Sequence, residues 1–594
     1  MKSAKFRAKV LTASRDDFEL LIASVMEGLL PNFARAQRLG ERDQLGIDLY
    51  QYDDRTGLET IAVQAKTMER EIKRRHIGAL TQEIAKYLKL GPSVREYWLV
   101  LNKPIVERKD RTTLQTALAS LVEGGKAEEA LLLDLEGFLK KLEDLARARL
   151  SEWAEAARLQ LRAEYARRLE VVTYIHDVPY AAREARTGPV AWVVDEARTY
   201  LANVHEHEAG TSRTPPRFLL ASGFGFGKTT TLHALADRWI ESGGKALYVP
   251  AAILPQRAFA NGAGLVDGLL RMIVPADLGV GAPTWRLVRD TFRRDLARSR
   301  DWLLLIDAID ESPYWASQEH LAALWAGLEQ VGIPVVVTVR EEVYASRRLE
   351  FADGPSRRGA PGEFFQVFQL LDWTPELIGQ FLDDYAERQT GECPQAYAKF
   401  RDAVGRGDYE HLYGDIPRRP LFLGMMAQDA WSGQDPETDL SRLYETYFRN
   451  KLLADWAGPG VGAHAVRTGA VTARHGYEET IERMMAAMQR IAASMLFDPE
   501  ANLPPGTVSG SVFDACVREE VGDFASAEEI LLISVLKPAG RHPSTRARLF
   551  GFAHQSFYDW FAARELVRRH GAEASRLAPN GAVRTFVRGM SDIA

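Results

Sequence analysis

Two stretches of the chain carry side chains whose types and spacing could do chemistry on phosphates. The first is R-F-L-L-A-S-G-F-G-F-G-K-T-T-T, Arg217 to Thr231. An apolar run breaks into alternating glycines (Gly223, Gly225, Gly227), then Lys228, Thr229 and Thr230, then a segment of helical periodicity through Leu232, Leu235 and Trp239. The glycines let backbone N–H groups turn onto an anion, the helix N-terminus adds its positive dipole end, Lys228 reaches the outer phosphates, and the Thr229 hydroxyl suits Mg²⁺. Ser222 stands where the G-x-x-x-x-G-K-T pattern has its first glycine. Further along, W-L-L-L-I-D-A-I-D-E-S sends Asp307 out of a buried strand where a carboxylate would hold the Mg²⁺ water shell, with Asp310 and Glu311 placed to orient an attacking water. Together these residues predict a site for a nucleoside triphosphate and Mg²⁺.

The second stretch is G-I-D-L-Y-Q-Y, turn residues, then T-I-A-V-Q-A-K, which places Asp48 near the start of one short strand and Gln64 and Lys66 near the end of the next. Cutting a phosphodiester needs oxygen ligands for Mg²⁺ and a cation beside the attacking water. Gln64 and Lys66 are two apart on a strand and point to one side, so Asp48 and Gln64 can hold the metal while Lys66 serves the phosphate.

These side chains need particular elements under them. Ahead of the hairpin, Asp16 to Leu30 reads as an amphipathic helix started by Ser14 or Asp16. The basic run Lys73-Arg74-Arg75-His76, a helix around Thr81 to Leu90 and a strand Tyr97 to Leu101 follow. From Thr112 to Leu169 the Leu, Ala, Glu, Lys and Arg content predicts helices. A helix at Ala191 to Leu201 and a polar loop with His205 and His207 lead to the phosphate loop. After it, apolar strands at Lys245–Val249, Trp302–Ile306, Pro334–Val339 and Phe364–Leu371 predict a parallel sheet buried on both faces.

Composition bounds the rest. The 594 residues suffice for several domains, and 46% hydrophobic with 26% charged residues is ordinary for a globular protein. A net charge of −6 argues against coating nucleic acid over the whole surface and leaves a local basic groove open. Cys393 and Cys516 alone exclude a disulfide framework and a cysteine-rich zinc site. With no long apolar run and no signal-like start, the expectation is a cytoplasmic protein without a membrane partner.

The order helix with Glu19, G-I-D strand, Q-A-K strand, helix and strand resembles the Mrr-like branch of the PD-(D/E)xK restriction endonucleases. That resemblance implies double-stranded DNA as substrate and adds Glu19 to a site of Asp48, Gln64 and Lys66. D-A-I-D-E resembles the D-G-x-D-E of NACHT-type STAND NTPases, with Ala308 where glycine is usual. By the same resemblance Arg340 is a sensor of the γ-phosphate. G-D-I-P-R-R-P-L-F-L is similar to the family's N-P-L-x-L element, with Pro420 near the adenine, and F-A-H-Q-S-F-Y-D-W-F-A-A matches its winged-helix element, with His554 at the β-phosphate.

The expected fold is multidomain α/β: an endonuclease-like α/β domain at 1–110, a helical linker at 111–184, a P-loop NTPase parallel sheet at 185–372, a helical domain at 373–465 and a winged helix at 466–594. The function implied is an anti-phage effector. ADP favours a closed monomer. ATP favours an open form that assembles as a homo-oligomer, expected as a tetramer, once a foreign trigger or separate sensor protein is engaged, and assembly switches on the nuclease. Two alternatives are an ATP-dependent restriction endonuclease for modified DNA, and a regulatory ATPase tethered to DNA by an inactive nuclease-like domain.

Overall fold

The computed structural model describes the chain except residues 1–3, 37–41, 43–44, 54–55, 57, 69–71, 73, 172–179, 183–185, 189–215, 224, 252–253, 275–281, 300, 313, 315–317, 348–350, 352–364, 390, 437–438, 458–476, 498–502, 504–505, 523–534, 542–547, 553–554 and 592–594. It divides into two compact units, residues 1–157 with 270–299, and residues 158–269 with 300–594. No helix among the described residues is long and apolar enough to cross a membrane.

The first unit is built on a five-stranded sheet in simple sequence order: β1 (Phe33–Arg35), β2 (Leu49–Tyr52), β3 (Glu59–Lys66), β4 (Val94–Leu101) and β5 (Ala127–Leu133). β1, β2 and β3 pair antiparallel, and β3, β4 and β5 pair parallel. The parallel steps need crossovers, supplied by the helices Arg74–Leu90 and Arg108–Glu123. β3 is central, so Ile61, Ala62, Val63 and Ala65 are buried in an almost unbroken apolar run. The helix Arg15–Met26 starts where Ser14 Oγ accepts from the Asp17 N–H, with Asp16 and Asp17 in its positive first turn, and it buries Phe18, Ile22, Val25 and Met26.

Three features differ from the sequence expectations. β1, only three residues long, is too short for an alternating pattern to show in the sequence. The region expected to be a wholly helical linker contains β5, whose A-E-E-A-L-L-L composition favours helix but whose backbone completes a parallel ladder with β4; tertiary pairing overrides propensity there. Residues 111–157 accordingly belong to the first unit. The helix Ala282–Ser299, encoded between two strands of the second unit, also belongs to the first: Thr284 Oγ1 donates to the Ser24 and Val25 carbonyls at 3.1 and 3.0 Å, and Arg294 pairs with Glu143 at 3.2 Å.

The second unit carries a seven-stranded sheet ordered β7-β6-β12-β8-β11-β10-β9, with β6 (Tyr180–Ala182), β7 (Arg186–Gly188), β8 (Arg217–Ser222), β9 (Lys245–Pro250), β10 (Trp302–Asp307), β11 (Val335–Arg340) and β12 (Gln366–Leu370). The five strands from β12 to β9 are parallel, as their continuous apolar sequences predict; β6 and β7 add an antiparallel edge. β11 enters between β8 and β10, so the carboxyl ends of all three lie side by side, with Ser222 opposite Arg340. Ligands of open α/β sheets bind beyond such carboxyl ends. Beyond the sheet come the helices Pro375–Arg388, Gln395–Arg406, Pro420–Trp431, Leu440–Ala457 and Tyr477–Phe497, then a small sheet of β13 (Thr507–Ser509), β14 (Leu536–Arg541) and β15 (Arg548–Phe552), and the helices Gln555–His570 and Gly581–Ser591. One apolar core runs from Phe218 and Phe368 of the large sheet through Phe422, Tyr444 and Phe448 to Phe557, Trp560 and Phe561. The expected helix at 191–201, the loop with His205 and His207, residues 54, 55 and 57 of the first hairpin's turn, Lys73 and His554 lie outside the described residues.

Candidate functional sites

In the first unit the G-I-D turn delivers Asp48 one residue ahead of β2, with its N–H bonded to the Val63 carbonyl at 2.9 Å. Gly46 makes this approach possible in two ways. Its φ is +83°, and a Cβ there would stand 2.8 Å from Gln64 Nε2. The Asp48 carboxylate is buried; Oδ2 accepts from the Ala65 N–H at 2.7 Å and Oδ1 from Arg15 Nη2 at 3.3 Å. Burial pushes its pKa up to about 6, against the opposing pull of Lys66, the Ala65 N–H and Arg15.

Glu19 comes to the same corner through arginines. Arg15 bonds both Glu19 Oε1 (3.0 Å) and Asp48, while Arg35 Nη2 holds Glu19 Oε2 at 2.7 Å. Gln64 is buried, with Oε1 accepting from the Tyr97 hydroxyl at 2.9 Å and Nε2 donating to Glu83 Oε2 at 2.6 Å. Lys66 Nζ lies 2.8 Å from that same Glu83 oxygen. The structure thus joins Glu19 to Asp48 through Arg15, and Gln64 to Lys66 through Glu83.

Sequence reading missed Arg15, Arg35, Tyr97 and Glu83. For Glu83 a signal existed: it flanks the buried stripe Ile77, Leu80, Ile84, Tyr87 of its helix and so sits at the edge of the sheet-facing surface. Arg74 and Arg75 are exposed at the start of that helix, a disposition suited to backbone phosphates. Among the described residues no three His, Cys, Asp or Glu side chains group closely enough to hold a metal ion. Asp48 and Gln64 supply hard oxygen donors of the kind Mg²⁺ takes.

In the second unit β8 ends at Ser222, the loop turns through Gly225 (φ +84°) and Gly227 (φ +82°), and the helix Lys228–Glu241 begins. Both glycines occupy the left-handed region, which is why the motif needs them. Lys228 Nζ donates to the Ser222 and Gly223 carbonyls at 2.8 Å each. Thr229 Oγ1 donates to Asp307 Oδ2 at 2.8 Å, so the phosphate loop and the end of β10 meet at the two side chains expected to share Mg²⁺. Tyr248 (2.7 Å) and Thr338 (2.7 Å) also donate to Asp307. Burial would raise the Asp307 pKa, but the hydrogen bonds from Thr338, Tyr248 and Thr229 outweigh it and hold the carboxylate ionised. Thr230 is half-buried in the first turn of the helix.

Ala308, which follows Asp307, is itself left-handed (φ 51°, ψ 63°), and its N–H donates to Thr338 Oγ1 at 2.7 Å. The turn brings Asp310 under Arg340: Arg340 Nε reaches Asp310 Oδ2 at 3.1 Å and its N–H reaches Oδ1 at 3.3 Å. Burial raises the Asp310 pKa despite Arg340 and Lys228. Arg340 Nη2 also lies 3.8 Å from Glu311 and 3.9 Å from the buried Asp559, on the helix Gln555–His570. Pro420 occupies the first turn of its helix, whose Leu421 N–H donates to the Gly225 carbonyl at 3.1 Å; Phe422 packs 3.5 Å from where a Gly225 Cβ would be. Ser222 is fully buried and its hydroxyl has no hydrogen-bond partner among the described residues.

Comparison with known proteins bears on the first unit. Residues 10–91 match the Mrr catalytic-domain family model, described as restriction endonuclease. No curated protein matches the chain. Among solved structures, the ORC2 protein of Aeropyrum pernix in its ADPNP–ADP complexes shares 16% identity over 63% of this chain and 94% of its own, with a TM-score of 0.31. The Aeropyrum pernix ORC1 protein in complex with DNA shares 15% over 68% and 97%, at 0.28, and AMPPCP-bound DnaA from Aquifex aeolicus shares 13% over 57% and 85%, at 0.21. At these scores none of the three bears on what this chain does.

Proposed function

We propose that the protein is a nucleotide-switched DNA endonuclease: the first unit cuts double-stranded DNA with a divalent cation, and the second sets when it does so. The nuclease half rests on the restriction-endonuclease match over residues 10–91 together with the Asp48 carboxylate held on the Ala65 N–H, between Gln64 and Lys66 in the same strand, and the Glu83 oxygen that Gln64 and Lys66 share. Bound Mg²⁺ would supply Lewis-acid activation of the scissile phosphate. Asp48 and Gln64 would hold the ion, Lys66 would stabilise charge on the phosphoryl oxygens, Arg15 keeps Asp48 and Glu19 in register, and Arg74 and Arg75 would bind neighbouring phosphates.

The observation that carries the switch is Arg340. It ends a strand beside the phosphate loop, pairs with Asp310, and lies within 3.9 Å of a carboxylate on a helix more than two hundred residues further along the chain. On this reading Lys228, Thr229, Thr230 and the loop N–H groups bind a nucleoside triphosphate, Pro420 packs against its base, and Arg340 exchanges acidic partners for the γ-phosphate, releasing Asp559. A ligand moves such an equilibrium only through different affinity for the two arrangements, and Arg340 is placed to supply that difference. The STAND-type assignment of this unit with a NACHT core and a winged helix, the sensor role of His554, assembly into a tetramer and an anti-phage trigger all belong to the same proposal.

Plasmid cleavage with Mg²⁺ and ATP tests it. Cutting should disappear in both Lys66→Ala and Lys228→Ala; cutting that survives Lys228→Ala removes the switch, and no cutting by the intact protein under any trigger favours an inactive DNA tether.

A further inference from the structure

One oxygen atom of Glu83 touches both functional ends of the Q-A-K strand. Oε2 lies 2.6 Å from Gln64 Nε2 and 2.8 Å from Lys66 Nζ. Glu83 is 42% exposed at its side chain, so the carboxylate opens toward solvent, whereas Gln64 is buried behind it. We propose that Glu83 is the second carboxylate of the nuclease metal site, standing on the crossover helix in place of an acidic residue at position 64. This rests on the nuclease reading given above.

Three observations support it. A neutral glutamine at position 64 leaves Asp48 as the one carboxylate among Asp48, Gln64 and Lys66, a weak complement for a divalent cation, and Glu83 adds a second negative charge within contact distance of Gln64 and Lys66. Two oxygens bound side by side on Mg²⁺ at its usual bond length lie about 3 Å apart, close to the present spacing of the Gln64 amide from Glu83 Oε2. The amide must turn over to present its oxygen, and Tyr97 permits this: its hydroxyl now donates to Oε1 and can equally accept from Nε2. Among the described residues Glu83 sets which way the amide faces. The same contact explains the glutamine, because a glutamate at 64 would put two carboxylates 2.6 Å apart. Lys66 is then anchored by a carboxylate of the metal site itself.

The test is Mn²⁺ binding to the full-length, nucleotide-free protein, followed by calorimetry and by the Mn²⁺ electron paramagnetic resonance signal, alongside plasmid cleavage. Glu83→Gln keeps the size and hydrogen-bonding reach of the side chain and should weaken Mn²⁺ binding at least about tenfold, with the melting temperature little changed. The exchanged pair Gln64→Glu with Glu83→Gln should recover binding to within a few-fold of wild type. Wild-type Mn²⁺ affinity in Glu83→Gln, where Asp48→Asn has lost it, overturns the role of Glu83 and leaves the nuclease centre standing. Wild-type affinity in Asp48→Asn as well overturns the metal centre and this inference with it. A double variant as weak as Glu83→Gln alone overturns the idea that the two positions trade one charge.

Discussion

Asp48 pays for its position with burial. Its pKa near 6 lies above the ordinary aspartate value, so the folded state binds its proton more tightly than the unfolded chain does. The sign follows: below about pH 4 both states are protonated and the group costs nothing, the cost grows as pH rises toward 6, and it is constant above. Asp48→Asn should therefore unfold like wild type near pH 4 and gain up to about 3 kcal/mol relative to it by pH 7, read from urea melts of the first unit across that range. A gap independent of pH would show that the carboxylate is not held in this way. Ala308 is a second residue under load, since a Cβ at φ 51° is strained where glycine would not be. Ala308→Gly should relieve that strain; after the greater freedom that glycine gives the unfolded chain, a net gain of about 0.5–1 kcal/mol remains, visible as a higher melting temperature of the second unit. A glycine at position 308 would meet this backbone without strain, and the chain does without it.

At the scale of elements, what was legible in the sequence was whatever is local. Strand, glycine turn and helix follow one another through Gly223, Gly225, Gly227 and Lys228, and Asp307 announces itself by ending an apolar run, so β8, the helix Lys228–Glu241 and β10 are legible in the sequence. Tyr97 and Asp559 were not legible, because each reaches its partner through a pairing or packing between elements distant in the chain, and Glu83 showed only its place beside the buried stripe of its helix, not its contacts with Gln64 and Lys66. β5 was hidden for a different reason: its leucines and glutamates suit a helix, and only β4 beside it makes a strand the better use of its backbone. The helix Gln555–His570 offers the sharpest test at this scale. Asp559→Asn keeps the bond from Asn580 but removes the charge facing Arg340. If that charge restrains the switch, the ATP concentration giving half-maximal assembly in light scattering should fall by about fivefold; an unchanged midpoint would leave Asp559 a packing residue.

At the scale of the whole molecule the chain does not run through its two units in turn. It leaves the first at residue 157, returns to it for 270–299, and leaves again, and the returning segment places Thr284 against the end of the helix Arg15–Met26, where Gly28 leaves no room for a Cβ: the Thr284 methyl would lie 2.7 Å away. Leu287, Val288, Phe292 and Leu296 of that returning helix are all buried. A fragment of residues 1–157 should therefore be poorly soluble and melt broadly, and adding a peptide of residues 270–299 should sharpen its melt; a fragment that is monomeric and cooperative by itself would show the returning helix to be dispensable. The interleaving also limits how such a protein can be inherited in pieces. A single genetic crossover between the two units would give a first unit missing one of its own helices and a second unit carrying a helix with nothing to pack on. The pair must travel together, and an exchange of the first unit would require two coordinated crossovers.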